Sequence, residues 1–177
     1  MAGKSPHQAV RNFVEPINRA LSCITKSVAV ASGHDPVQER HALALNQGEP
    51  VRLRGNPPFL FTAIVHYQIF EAKGDLGPWK VSTMAYYYGV QDRKGQELLA
   101  YHWHPRSTPQ HSDPHLHVYE GAGAGIITKL HLPTRGVSLE ELLRFLITEL
   151  KVIPIKRDWE EILRATRAVH EQFRSWS

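Results

Sequence analysis

The sequence predicts an α+β fold: a curved antiparallel sheet of five or six strands, covered by N-terminal helices and by two C-terminal helices. Three observations lead to it. Apolar residues recur at three- and four-residue steps in the first thirty residues and again after residue 138, which is the helical period. Between residues 50 and 132 they alternate or run together, as strands do. The links between the strand candidates are short and rich in Gly, Pro and Asp, so neighbouring strands should be antiparallel rather than joined by crossover helices. Residues 1–48 read as an N-terminal helical segment and residues 50–177 as the sheet with its closing helices. At 177 residues and 42% hydrophobic content, the two should form one compact domain.

Val10, Phe13, Val14, Ile17, Leu21, Ile24 and Val28 make the first helical stripe. Pro16 lies inside it and should kink or split the helix, because proline has no N–H to donate. Asp35-Pro36-Val37-Gln38 offers an N-cap, a proline at the first helical position and a glutamine at N3, so a short helix is expected to run to about Asn46. Val51–Arg54 reads as an edge strand. The next strand, 59–71, has Phe61, Ala63, Val65, Tyr67 and Ile69 on one face. After a turn at residues 73–78 comes a strand from Trp79 to Val90 that contains Tyr86-Tyr87-Tyr88. Asp92-Arg93-Lys94-Gly95 turns tightly into the strand 96–104. A proline-rich loop, a strand from His115 to Glu120, the glycine-rich turn 121–125 and a last strand from Ile126 to Leu132 complete the sheet. Ser138-Leu139-Glu140-Glu141 and Asp158-Trp159-Glu160-Glu161 are capping boxes that open the two C-terminal helices.

No apolar run is long enough to cross a bilayer, and the N-terminus lacks a signal-peptide pattern, so a cytoplasmic location and no membrane partner are expected. The single cysteine, Cys23, leaves no intramolecular disulfide framework and no cysteine-rich zinc site. It sits on the apolar stripe and reads as core rather than nucleophile. A net charge of +4 permits attraction to phosphate, but the basic residues are scattered and form no stripe.

Six of the eleven histidines (His102, His104, His111, His115, His117 and His131) fall within thirty residues, and four of them form His-x-His pairs. On a strand, residues i and i+2 share a face, so each pair presents two imidazoles to one side. If the strands carrying the pairs are neighbours, four imidazoles converge, and His131 joins them if its strand is next. His7, His34, His41, His66 and His170 receive no functional role, and His66 and His170 read as satisfied partners at packed faces.

Two chemistries suit such a cluster. In the first, RNA is cleaved without a cofactor: His104 and His117, with His102 and His115 as alternatives, act as general base and acid. Lys129 or Arg106 then supplies the phosphate-binding cation, and Tyr101 or Tyr119 stacks on a base or relays a proton. In the second, His102, His104, His115 and His117 ligate zinc or another divalent transition metal, with His111, Asp113, His131 or Glu120 as a further ligand. A non-enzymatic module that binds a partner or dimerises through its N-terminal helices is the third expectation.

The run Tyr86-Tyr87-Tyr88, Asp92-x-x-Gly95, Tyr101-x-x-His104, Pro114-His115-Leu116-His117 and Ser138 to Leu143 resembles the small TumE-type proteins of bacterial toxin–antitoxin pairs. The likeness covers roughly residues 86–150. It implies a toxin-like role beside a helix-turn-helix antitoxin. The long N-terminal segment, the second His-x-His pair and the extra C-terminal helix depart from that pattern.

Overall fold

The computed structural model describes residues 1–72, 77–105, 113–119, 129–133 and 136–172, with the backbone alone at 129–133 and at 172. Its elements in chain order are β1 (Ala2–Gly3), α1 (Pro6–Leu21), β2 (Ala29–Ala31), β3 (His41–Leu45), β4 (Val51–Arg52), β5 (Leu60–Glu71), β6 (Trp79–Gln91), β7 (Glu97–Trp103), β8 (His115–Tyr119), β9 (Lys129–Pro133), α2 (Leu139–Thr148) and α3 (Trp159–Gln172). The strands form one open, curved antiparallel sheet in the order β2-β3-β5-β6-β7-β8-β9. Two short segments lie off this path, β1 beside β6 and β4 beside β5. The fold class is the expected one, and the sheet is wider because the N-terminal segment feeds strands into it.

Those strands correct two expectations. The helix read over residues 35–46 is absent, and β3 occupies His41–Leu45. Asp35 does begin a turn, its Oδ1 accepting from the Val37 N–H at 2.9 Å. Nothing propagates it, because His41, Leu43 and Leu45 alternate into the interior and β3 pairs with β5 from His41↔Tyr67 to Ala44↔Ile64. Ladder bonds and burial of every second side chain outweigh the local capping signal. Residues 1–48 are therefore not a purely helical segment.

Pro16 does not divide α1, which runs from Pro6 to Leu21. The lost hydrogen bond and ring clash cost about 3 kcal/mol in a helix interior. Burial of Phe13, Ile17 and Leu21 on either side of the proline, each contributing about 1.5–3 kcal/mol, offsets that. Ser5 caps the helix through the Gln8 N–H.

Helix α1 packs on β5 and β6 and against α2 and α3, so all three described helices share one face of the sheet. Phe61, Val65 and Tyr67 of β5, Tyr86, Tyr88 and Val90 of β6, Trp103 of β7 and Leu142, Leu143 and Leu146 of α2 join in one core beneath them. Buried Tyr67 directs its hydroxyl to the Gly33 carbonyl at 2.6 Å, and His41 stacks on its ring. Cys23 is fully buried and its thiol is pushed up to about 11, mainly by burial, which fits a core side chain. At α2, Ser138 and Glu141 complete the expected capping box in both directions.

Candidate functional site

The opposite face of β6, β7 and β8 carries the histidines. Antiparallel register sets Tyr87 opposite His102, and His102 opposite His115; one step along, Gly89 faces Ala100 and Ala100 faces His117. Directly opposed residues share a face, so both His-x-His pairs and Tyr87 lie on the side away from the helices. The rings of His102 and His117 stack at 4.5 Å, those of His115 and His117 lie 4.7 Å apart, and those of His102 and His115 stack at 5.8 Å. His104, just past the end of β7, meets His102 at 5.8 Å and His115 at 5.5 Å, edge to face in both cases. The pairing that the sequence could only suppose is thus the pairing observed.

The four imidazoles are not equivalent. His115 and His117 are buried, at 6% and 5% exposure, whereas His102 and His104 are partly exposed. The cluster therefore has two inner rings and two that reach solvent. His115 is oriented by the Asp113 carbonyl, 2.8 Å from its Nδ1. A carbonyl only accepts, so Nδ1 carries the proton and Nε2 the lone pair.

Tyr119, on the same face, stands with its ring 6.0 Å from that of His117 and its hydroxyl 3.5 Å from His117 Nδ1. Tyr87 packs edge-on against His102 at 4.8 Å and donates its hydroxyl hydrogen to Glu97. Burial and the neighbouring carboxylate push the Tyr119 hydroxyl up to about 12, and the same causes raise Tyr87. Tyr87 reaches Glu97 by lying over Gly89, where an added Cβ would run into the tyrosine hydroxyl.

Sequence reasoning missed Glu97, Tyr87 and Gly89. Strict alternation puts Glu97 with Leu99, Tyr101 and Trp103, on the helix-covered face. A register shift between Val90 and Gln91 sets Val90 opposite Leu99 but Gln91 opposite Glu97. The extra residue, Leu98, bulges the strand and turns Glu97 to the histidine side. The signal present in the sequence was Asp92-Arg93-Lys94-Gly95, whose tight turn ends at this irregularity: Asp92 Oδ1 accepts from the Lys94 and Gln96 N–H groups and Gly95 has φ +84°.

Tyr101 does not join the cluster. It is opposite Tyr88 and packs against the core on the other face. The backbone of β9 places Lys129 opposite Tyr119 and His131 opposite His117. Arg106, His111 and Glu120 lie outside the described residues, as do the turns at 73–76 and 121–125. His66 is not the satisfied histidine expected: among the described residues no group bonds its buried Nδ1, and burial lowers its proton affinity. Among the described residues, no group of three or more His, Cys, Asp or Glu is placed to hold a metal ion. No helix there is long and apolar enough to cross a membrane.

No family model, curated protein or solved structure matches the chain.

Proposed function

We propose that the histidine face is a metal-independent acid–base site that cleaves RNA. The observation that supports it is the packing of four imidazoles within 4.5–5.8 Å on one face, with two of them reaching solvent. Cleavage needs a base for the 2′-hydroxyl proton and an acid for the leaving 5′ oxygen. The 2′ oxygen attacks phosphorus as its proton passes to the base, and the bond from phosphorus to the 5′ oxygen breaks as the acid protonates that oxygen. The products are a 2′,3′-cyclic phosphate and a 5′-hydroxyl. His104 and the partly exposed ring of His102, whose Nε2 is itself buried, are the groups able to touch substrate; His115 and His117 support them from beneath. Lys129, across from Tyr119 in the register, is assigned the phosphate, with Arg106 as the other candidate cation. Tyr119 provides an aromatic surface for a base.

A role as a cytoplasmic toxin, held in check by a helix-turn-helix antitoxin, follows from the TumE-type resemblance and is part of this proposal. The test is single His→Ala variants of the four histidines, assayed on RNA in excess chelator. His102→Ala and His104→Ala are expected to lose cleavage by about 100-fold or more, the scale of one acid or base. Undiminished cleavage in all four contradicts the proposal. Growth arrest on induced expression, relieved by His102→Ala, is the expected cellular counterpart.

One observation favours a second reading. A Nδ1–H tied to a backbone carbonyl, as in His115, is how metal-binding imidazoles are held with Nε2 toward the ion. Stoichiometric zinc in untagged protein, with cleavage abolished by chelator, would replace the first reading with this one.

A further inference from the structure

A second group of donors lies beside α1, on the helix-covered side of the sheet and away from the imidazole cluster. His7 and Arg11 are one turn apart on α1 and so share a flank of that helix. His34, from the loop between β2 and β3, meets His7 edge to face with the ring centres 5.1 Å apart. That loop is held from below. The buried Tyr67 hydroxyl donates to the Gly33 carbonyl at 2.6 Å, and Nε2 of buried His41 donates to the Asp35 carbonyl at 2.8 Å. His34, between the two tied residues, is thereby presented to α1.

His7, Arg11 and His34 line one groove of about 480 Å³, whose apolar wall is Val10 and Val14 of α1 and Ala31 of β2. Among the described residues, Arg11 pairs with no carboxylate, and neither His7 nor His34 hydrogen-bonds through its ring. Three donors are therefore unspent at one end of an apolar groove. The start of α1 adds its positive dipole end there, with no acidic residue in the first turn.

We propose that this groove binds a carboxylate with an apolar tail, the head between His7, Arg11 and His34 and the tail along Val10, Val14 and Ala31. Charge and length both support that occupant. Glu15 lines the groove two turns beyond His7, so it repels an anionic head from the far end and sets the direction of the ligand. The helical rise puts Val14 about 10 Å beyond His7, a distance that a chain of about eight carbons spans. A metal ion suits the groove less well. Arg11 would repel it, and among the described residues no third ligand joins the two imidazoles.

The experiment is calorimetric titration of the full chain with octanoate, using acetate as a head-only probe and 1-octanol as a tail-only probe. Octanoate is expected to saturate the protein with a Kd of about 1 mM or below, and the other two to bind at least about tenfold more weakly. Arg11→Gln and His34→Gln alter exposed side chains, and each should weaken octanoate about tenfold while leaving 1-octanol unchanged. Amide spectra of the 15N-labelled chain report that the variants are folded and should map the ligand to residues 7–15 and 31–34. Absent or equal binding of octanoate and 1-octanol, an octanoate affinity unaltered in both variants, or shifts confined to other residues overturns the proposal. Zinc taken up at His7 and His34 in place of octanoate overturns it as well. None of these outcomes depends on RNA cleavage, which belongs to the opposite face of the sheet.

Discussion

Three consecutive tyrosines on one strand have two different fates. Tyr86 and Tyr88 point under the helices, stack on each other at 4.9 Å, and belong to the core with Trp103. Tyr87, between them, points the other way, to His102 and Glu97. The backbone treats them alike; the faces do not. On the helix side an aromatic ring is valued for the apolar surface it removes from water. On the histidine side rings pack as closely, but they carry donors and acceptors that must be arranged. One face stores stability and the other stores polar organisation, and this division can be broken in graded ways.

The largest effect is expected from the helix side. Phe61→Ala empties a fully buried site and should destabilise by about 3–5 kcal/mol, whereas His102→Ala on the other face should cost about 1 kcal/mol or less. Urea unfolding of both variants checks it; equal losses would mean that the histidine face is a second core. Gly89→Ala comes next. Its methyl group displaces the Tyr87 hydroxyl and ring from over Gly89 and should cost about 1–2 kcal/mol, with most of that cost absent in a Tyr87→Ala background, because phenylalanine would keep the ring carbon that also lies too close. A double-mutant cycle by thermal unfolding reads the coupling, and strict additivity would show that Tyr87 does not occupy the space over Gly89.

The smallest effect is a pH dependence. Tyr119 is raised in the folded chain from the ordinary tyrosine value near 10 to about 12. Above about pH 10 the unfolded chain releases this proton while the folded chain retains it, so stability should fall as pH rises from about 10 to about 12. Tyr87 and Tyr88 act in the same direction. Tyr119→Phe should flatten part of that slope in denaturation curves collected across the range. An unaltered slope would show that this hydroxyl is not held by its surroundings.

The sequence was most legible where a local pattern and its tertiary outcome agree. Phe61, Ala63, Val65, Tyr67 and Ile69 alternate into the core as the period of two requires. Ser138 and Glu141 close their capping box, and both His-x-His pairs share a face. It was least legible where a distant partner decided between local alternatives. Pro36 and Gln38 suggest a helix, but β5 supplies the ladder that makes His41–Leu45 a strand. Pro16 suggests a break, but the sheet beneath α1 holds the helix through it. Glu97 was hidden because one bulged residue inverts the alternation, and a register shift is a property of two strands together. The four imidazoles were visible as a list; their division into inner and outer pairs depends on packing between strands.

The claim that the histidine face cleaves RNA by acid–base chemistry is tested most directly with one pair of substrates. A mixed-sequence RNA oligonucleotide and its 2′-deoxy counterpart are incubated in excess chelator with the wild type and with the folded His102→Ala/His104→Ala variant. The wild type is expected to cut the RNA alone, leaving 2′,3′-cyclic phosphate ends, and the variant to cut neither. An intact RNA in the wild-type reaction, or cleavage that survives loss of both outer imidazoles, would contradict it.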